Sequence, residues 1–214
     1  MPEAMLVPPL GSRDDALTAA LRARAFNLLL RGGRPVPVAE LGAPAGRQLA
    51  EVRQAIGDLV AAGRMTVAGD GAVTGSLGLT VLPDRHLLAL PEGDRYTWCA
   101  LDAVGVFGAL AATGQIRSTT PEGEPVVIDV ESGRLRDASE LAVLLPEHRP
   151  GPTVLSWCPL VNFFRNSRRA AEWAVETGVT GTAVGVEEAM TLGTRLWRDA
   201  LQKVGELGPW SQDA

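Results

Sequence analysis

The sequence predicts an α+β protein in which a helical N-terminal module precedes a mainly antiparallel α+β domain. Two patterns favour this class. Three segments with helical spacing of apolar residues are followed by two short β-rich segments, and beyond Pro83 most β-rich segments are joined by tight turns. Short connections of that kind favour antiparallel rather than parallel strands. The predicted modules are residues 1–82 and residues 83–214.

The N-terminal module has the element order of a winged helix, three helices and then a hairpin. Its first helix follows Asp14 and Asp15 and stops at Gly32–Gly33, which matches the residue preferences of helix ends. The segments VPVAELGAP and GRQLAEVRQAIGDLVAAGR predict the second and third helices, and Gly63 ends the third. Two β-rich segments then flank Gly69-Asp70-Gly71, a hairpin turn signal.

The C-terminal module combines one apolar helix with several short strands. The helix is predicted over CALDAVGVFGALAATG, from Cys99 to Ala112, with Gly114 closing it. The segment TVLSWC is predicted to be a strand that ends at Cys158. Further strands are expected at RHLLAL, DRYTW, QIRSTT, PVVIDV, ELAVLLP and GTAVGV, and amphipathic helices at SRRAAEWAVET and EEAMTLGTRLWRDALQKV.

Charge argues against a nucleic-acid partner. The 214-residue chain carries a net charge of −5, with twelve basic against eighteen acidic residues after residue 80. Phosphate contacts need clustered lysine and arginine. The third helix offers Arg47, Arg53 and Arg64, which Glu51 and Asp58 offset. We therefore expect a structural or lid-like use of the winged-helix module rather than DNA binding.

The chain shows no targeting or membrane signal. Its start, MPEAMLVPPLGSRDD, lacks the basic and apolar regions of a secretory signal, and no segment approaches the roughly 18 apolar residues of a membrane span. We expect a cytoplasmic protein without a membrane partner, whose thiols stay reduced. The two cysteines are then not expected to form a structural disulfide, and both could simply be buried core residues.

Cys99 and Asp102 have the spacing of neighbours on one helical face. Side chains three residues apart on a helix lie about 5–6 Å from each other. Cys99 would also lie at the helix N-terminus, where partial positive charge favours a thiolate. The alternative is that Asp102 only complements the helix dipole. If Cys158, which precedes Pro159, abuts this helix start, two thiols and a carboxylate converge in an apolar pocket.

Two thiols and a carboxylate exclude some kinds of site and favour others. It is poor for structural zinc, which takes four nitrogen or sulfur ligands, and His86 and His148 show no ligand spacing to it. Neither a GxSxG motif nor a Cys–His pairing of a hydrolase is evident. Two thiolates suit a soft, thiophilic ion. A carboxylate desolvated beside them would have a raised pKa and could carry a proton near neutral pH.

The segment YTWCALDAVGVFGAL resembles the active-site segment of the alkylmercury lyases, the organomercurial lyases. The resemblance continues through GEPVVIDV, SWCPLVNFFRNSRRAAEWA and GVEEAMTLGTRLWRDAL, and the N-terminal helices and hairpin are similar to that family's winged-helix-like start. It covers most of residues 15–204. It implies that residues 83–214 form a catalytic domain.

The resemblance also implies site roles. Cys99 matches the first catalytic cysteine, Asp102 the catalytic aspartate and Cys158 the second catalytic cysteine. The implied reaction is protonolysis of a carbon–mercury bond in a small organomercurial, giving a hydrocarbon and Hg(II). The product Hg(II) would be bound at Cys99, Cys158 and Asp102 until free thiols or a mercuric reductase remove it. The resemblance implies no organic cofactor.

Departures from the family pattern keep two alternatives open. Thr119 and Thr120 stand where members commonly carry a further structural cysteine, and residues 159–162 stand where histidines often follow the second catalytic cysteine. The chain could be a diverged homologue that acts on another organometallic or biosynthetic substrate. It could also be a winged-helix sensor or carrier of a thiophilic metal.

Several further side chains beside the cysteines could belong either to the site or to the core. Asn162 could orient a group of the site. The aromatic residues could wall a substrate pocket or simply be core; these are Trp98, Trp157, Phe163 and Phe164.

Overall fold

A computed structural model gives the structure of residues 15–44, 46–147, 150–202 and 210–211. Asp14 and His148, which entered the sequence analysis, lie outside these described residues. Helices and antiparallel strands make up the fold, which confirms the predicted α+β class. No helix in the described ranges is long and apolar enough to cross a lipid bilayer.

The helices that the sequence predicts begin and end close to the predicted positions. The Asp15 carboxylate caps the first helix by accepting a hydrogen bond of 2.8 Å from the Thr18 amide, and Gly33 ends it in the left-handed conformation (φ 61°). A 3₁₀ helix at Cys158–Leu160 follows the fifth α-helix. The α-helices of the described residues are α1 (Ala16–Gly32), α2 (Val38–Leu41), α3 (Leu49–Ala61), α4 (Ala100–Leu110), α5 (Thr153–Ser156), α6 (Ser167–Thr177) and α7 (Val186–Gln202).

Most strands fall where β-rich segments predict them, and the pairs are antiparallel. The described strands are β1 (Ala43–Pro44), β2 (Met65–Val67), β3 (Val73–Ser76), β4 (Leu79–Thr80), β5 (His86–Leu90), β6 (Gly93–Thr97), β7 (Gly114–Thr119), β8 (Pro125–Glu131), β9 (Arg134–Arg136), β10 (Ala142–Pro146), β11 (Phe163–Phe164), β12 (Gly181–Gly185) and β13 (Trp210–Ser211).

One sheet joins the two predicted modules. Its strand order is β2-β3-β4-β6-β5-β7-β8-β9, and β4 pairs with β6 through Leu79 opposite Thr97. The predicted hairpin is formed by β2 and β3. A smaller sheet has the order β11-β10-β12, and β1 pairs with β13. The large sheet thus contains strands from both sides of residue 82. The winged-helix module and a domain boundary at residue 82 stay predictions.

The prediction of a strand over TVLSWC was wrong, because this segment forms α5 and leads into the 3₁₀ helix. Two prolines explain the difference. Pro152 is the N-cap of α5, and Pro159 lies in the first turn of the 3₁₀ helix. Proline has no N–H for a sheet ladder and suits the first turn of a helix, which outweighs the local β propensity of valine and tryptophan.

The buried helix α4 is two residues shorter than predicted at its C-terminal end. It closes at Ala111, which adopts the left-handed conformation (φ 49°), and not at Gly114. Gly114 instead begins β7, where a Cβ atom would collide with the carbonyl oxygen of Ala89. The segment after Ala111 is therefore already directed into the sheet.

Helix α4 contacts β5 and β6 of the large sheet and packs against α7. Because Gly105 and Gly193 have no side chains, the backbones of the two helices come into direct contact there. A Cβ atom on Gly193 would lie 2.7 Å from the Cα atom of Gly105. This packing fixes the position of α4 and places its N-terminus beside the 3₁₀ helix.

Candidate active site

The structure brings Cys99, Asp102 and Cys158 together. Potential ligand atoms of the three side chains, two sulfurs and a carboxylate oxygen, lie within 4.8 Å of one another. All three residues are buried; Cys99 is fully buried, and Asp102 and Cys158 each keep 4% of their surface exposed. Two thiols and one carboxyl group thus share a site that is nearly closed to water.

Cys99 is the N-cap of α4, which explains its orientation. Its backbone is extended (φ −155°, ψ 169°), and its Sγ atom accepts a hydrogen bond of 3.4 Å from the Asp102 amide. The Thr97 hydroxyl donates to the Cys99 carbonyl oxygen over 3.2 Å. Sulfur here takes the capping role that serine or aspartate usually fills, so the thiol points towards the positive end of the helix dipole.

Cys158 reaches the site from the 3₁₀ helix. The Ala100 amide, in the first turn of α4, donates to the Val161 carbonyl oxygen over 3.1 Å and joins the two elements. On the other side, the Trp157 indole nitrogen donates to the Pro146 carbonyl oxygen over 2.9 Å, at the end of β10. These two hydrogen bonds hold the segment that carries Cys158 against the helix start.

The Asp102 carboxyl group lies against the backbone of Gly78. Gly78 has a φ of 77°, and a Cβ atom there would overlap the carboxyl group. Glycine is therefore required by both conformation and space. The Oδ2 atom of Asp102 is buried and has no hydrogen-bond partner among the described residues. An unpaired buried carboxylate oxygen is costly, which favours a protonated group at this position.

The protonation of Asp102 follows from its surroundings. Burial raises the pKa of Asp102 from its usual 3.8 to about 7, although hydrogen bonds with Cys99 and the positive charge of Arg22 lower it. The negative charge of Asp84, an exposed residue, raises it further. The carboxyl group can therefore both hold and release a proton near neutral pH.

Both thiols are held in their neutral form. Burial raises the pKa of Cys99 well above its usual value, and the hydrogen bond with Cys158 and the charge of Asp102 act in the same direction. The hydrogen bond with Cys99 lowers the pKa of Cys158, but burial and Asp102 raise it by more. The expectation that the helix N-terminus favours a Cys99 thiolate is outweighed by desolvation.

Sequence reasoning missed Arg22 and Gly78. Arg22 keeps only 2% of its surface exposed, and its charge acts on Asp102. A signal for Arg22 was present, since it lies three and four residues before Ala25 and Phe26 on the buried face of α1. No comparable signal marks Gly78, because its contact with Asp102 is formed only in the tertiary structure.

Asn162 supports the segment that carries Cys158. Its side-chain amide donates to the Pro159 carbonyl oxygen over 3.0 Å, and its Oδ1 atom accepts from Arg85. Its backbone carbonyl accepts from the Leu144 amide over 3.3 Å. The side chain thus ties the 3₁₀ helix to the loop that carries Arg85.

His86 and most of the aromatic residues named above are buried in the core. His86 is buried and bonds to the Ser118 hydroxyl over 2.8 Å, and burial lowers the pKa of His86 to about 3, so the ring is neutral. Phe163 packs edge-on against His86 with ring centres 5.7 Å apart. Trp98 is half-buried, whereas the other three aromatics are core residues; these are Trp157, Phe163 and Phe164.

Comparisons with known proteins show which family this chain resembles. The alkylmercury lyase (MerB) family model matches residues 79–198. An alkylmercury lyase of Streptomyces lividans is 30% identical over 173 residues, 78% of each chain. One of Bacillus cereus is 26% identical over 172 residues, 77% of this chain and 75% of that one. The crystal structure of the mercury-bound form of MerB2 has the same fold, with a TM-score of 0.78 at 22% identity over 90% of this chain and 94% of that chain.

Proposed function

This chain belongs to the alkylmercury lyase family of enzymes, and we propose that it cleaves carbon–mercury bonds by protonolysis with Cys99, Asp102 and Cys158 as its catalytic residues. The observation that carries the proposal is the convergence of two buried thiols and one buried carboxyl group within 4.8 Å. Each of the three side chains supplies a function that the reaction needs.

The two cysteines capture mercury. An organomercurial of the form R–Hg–X presents a soft metal, for which thiolates are preferred ligands. The first thiol replaces X on mercury and releases its proton with X. When the second thiol binds, mercury gains electron density and the Hg–C bond becomes more polar. Because both thiols are neutral in the free site, mercury binding is what displaces their protons.

Asp102 transfers the proton. It accepts the proton of the second thiol and delivers it to the carbon atom bound to mercury, so that a C–H bond forms as the Hg–C bond breaks. Mercury stays Hg(II) throughout, and no electron acceptor or donor is needed. A pKa of about 7 suits both halves of this transfer at neutral pH. The low water content of the site keeps the proton between sulfur, oxygen and carbon.

The product would be Hg(II) held by Cys99 and Cys158, with Asp102 beside it. Free thiols in solution would remove it by exchange, and a mercuric reductase is the class of enzyme that would then consume it. The reaction as written needs no organic cofactor.

The test is an assay of purified, reduced protein with phenylmercury in excess thiol, in which benzene is measured by gas chromatography. We expect benzene release from the native chain and none from Cys99→Ala or Cys158→Ala. Ser118→Ala removes a buried hydroxyl outside the site and serves as the matched control with retained activity.

Unchanged phenylmercury in the presence of folded protein with reduced thiols would contradict the proposal. Tight Hg(II) binding and metal-dependent retention on DNA, without hydrocarbon release, would support the alternative of a thiophilic-metal sensor.

A further inference from the structure

We propose that Asn162 is a positioning residue of the active site, whose buried side-chain amide holds Cys158 at the distance from Cys99 at which both sulfurs bind one mercury atom. Asn162 keeps only 2% of its surface exposed and follows Cys158 closely in the sequence. The kinetic part of this inference rests on the proposed function. The part that concerns Hg(II) binding does not require cleavage of a carbon–mercury bond.

The segment that carries Cys158 has little regular structure of its own. It consists of the short 3₁₀ helix and the short strand β11. Pro159, in the first turn of the 3₁₀ helix, has no N–H, which leaves one backbone donor fewer to fix this turn. The position of the Cys158 sulfur therefore depends strongly on contacts from outside the 3₁₀ helix.

The side chain of Asn162 supplies two of these contacts. Its Nδ2 atom donates over 3.0 Å to the carbonyl oxygen of Pro159, the residue directly after Cys158, and its Oδ1 atom accepts from the Arg85 guanidinium group. The backbone is held separately, because the Asn162 carbonyl oxygen accepts from the Leu144 amide of β10 over 3.3 Å. Both polar ends of a buried amide are thus satisfied, which gives the side chain one orientation. Through this side chain, the turn that carries the second cysteine is fixed relative to β10.

Arg85 connects this amide to the large sheet. It precedes His86, the first residue of β5, and the ring of His86 packs edge-on against Phe163, the next residue after the amide. His86 is itself held by its hydrogen bond of 2.8 Å with the Ser118 hydroxyl of β7. Arg85 and the start of β5 therefore contact two successive residues of the segment that carries the second cysteine.

The same place in the sheet also supports Cys99. His86 pairs with Thr97 of β6, and the Thr97 hydroxyl donates to the Cys99 carbonyl oxygen over 3.2 Å. One pair of neighbouring strands therefore supports both cysteine segments, on one side through Thr97 and on the other through Arg85 and Asn162. Because both sulfurs must reach one mercury atom, loss of the Asn162 amide would act on the step in which the second sulfur binds.

The first test measures Hg(II) binding and needs no cleavage of an organomercurial. Reduced protein is loaded with equimolar Hg(II) and titrated with glutathione, and the mercury that stays on the protein after gel filtration is measured by mass spectrometry. Binding of the second sulfur is an intramolecular step whose strength depends on geometry. We therefore expect Asn162→Ala to lower the glutathione concentration that removes half of the mercury by about tenfold or more.

Asn166→Ala is the matched control, because it truncates the same type of side chain in the same part of the sequence. The exposed Asn166 side chain caps α6 by accepting from the Arg169 amide over 2.9 Å. Its loss should lower stability but leave the glutathione midpoint within about twofold of the native value.

Arg85 provides a second, exposed position at which the same contact can be changed. Arg85→Met removes one of the two side-chain hydrogen bonds of Asn162 and should give part of the loss in mercury retention. Arg85→Lys keeps a donor at this position and should recover most of that loss. A merely structural role of the loop would not produce this order.

The second test is kinetic and uses phenylmercury. We expect Asn162→Ala to lower kcat by about 10- to 100-fold with KM within about twofold, because capture by Cys99 is retained while the second sulfur is misplaced. Asn166→Ala should change kcat by less than about twofold, although it removes a helix cap. Urea unfolding of both variants checks that they are folded under the assay conditions.

An unchanged glutathione midpoint in Asn162→Ala, or equal losses in Asn162→Ala and Asn166→Ala, would overturn the positioning role. A raised KM with unchanged kcat would also overturn it. If Asn162→Ala does not fold, Arg85→Met takes its place, and native values for that variant count against the proposal.

The two tests separate this role from the lyase activity itself. A native chain that retains Hg(II) more tightly than Asn162→Ala but releases no benzene would remove the proposed function and keep the role of Asn162. Benzene release with native midpoint and kcat in Asn162→Ala would remove only the role of Asn162. A native chain that retains no Hg(II) would overturn both.

Discussion

The two ends of helix α4 differ in what they bury. Its N-terminal end encloses Cys99 and Asp102, which are polar, titratable and contacted by Cys158 from another element. Its C-terminal half carries Gly105 and Gly108 and packs against α7 so closely that a single added methyl group has no space. The first end buries two titratable side chains, and the second end buries mainly backbone and apolar surface.

The difference between the two ends shows how this fold can tolerate a buried carboxyl group that lowers its stability. A carboxyl group kept from water lowers the stability of the folded state when it is charged. Close packing of α4 on α7 lies one to two turns away and adds dispersion contacts between apolar groups and backbone. We therefore expect changes at the N-terminal end to remove activity and leave the fold, and changes at the glycine end to do the reverse.

The largest expected effect is on catalysis at the polar end. Asp102→Asn keeps the shape of the side chain but cannot carry the proton, so kcat should fall by about 10²- to 10⁴-fold. Benzene release from phenylmercury measures the loss, and Hg(II) binding to the two thiols should persist. An Asp102→Asn protein with native turnover would exclude Asp102 as the proton donor.

The next effect is the pH dependence of stability. The pKa of Asp102 is about 7 in the folded chain against 3.8 normally, so the folded state binds more protons between these values. The free energy of unfolding should therefore fall as pH rises from about 4 to 7 and level off above, by as much as about 4 kcal/mol from this group.

Urea unfolding of the native chain and of Asp102→Asn across this pH range measures that contribution. The asparagine variant lacks the titrating group, so its stability advantage should grow with pH. Parallel curves for the two proteins would show that burial of Asp102 does not control this dependence.

At the glycine end, Gly193→Ala should destabilise the fold by about 1–3 kcal/mol, because the new Cβ atom would lie 2.7 Å from the Gly105 Cα atom. Gly57→Ala, in α3, is the matched control, since nothing lies within 4 Å of its new Cβ atom. The control should be neutral or stabilising by up to about 1 kcal/mol. Thermal unfolding measures both, and equal effects would contradict close packing as the cause.

The smallest expected effect on stability separates the two roles of Cys99. Cys99→Ser keeps an N-cap acceptor for the Asp102 amide, so the unfolding free energy should change by less than about 1 kcal/mol. Turnover should nevertheless be lost, because a hydroxyl group is a poor ligand for a thiophilic metal. Retained benzene release in this variant would contradict mercury capture by Cys99.

Local patterns predicted much of this molecule. Helical spacing placed Cys99 and Asp102 on one face, and capping residues located the ends of α1. The prediction of a strand before Cys158 was wrong. Valine and tryptophan favour a strand locally, but two prolines and the contact of Trp157 with Pro146 determine the structure of this segment. That error did not prevent Cys158 from being assigned to the site.

Long-range contacts account for what the sequence did not predict. Gly78 contacts Asp102, and the charge of Arg22 acts on it, only after these distant segments have packed together. Neither the spacing of residues nor the composition predicts contacts between residues so far apart in the sequence. The thiol pKa values were likewise missed, because the degree of burial, and not the helix dipole, determines them.

The hydrogen bond between Trp197 and Leu77 has a consequence for the order of folding. It joins residues 120 positions apart, and it fixes the turn on which the Asp102 carboxyl group rests. Contacts of such large sequence separation form late and slow the folding of a chain. We therefore expect the site around the thiols to assemble only once α7 has docked, so that during translation both sulfurs stay accessible to solvent until α7 has left the ribosome.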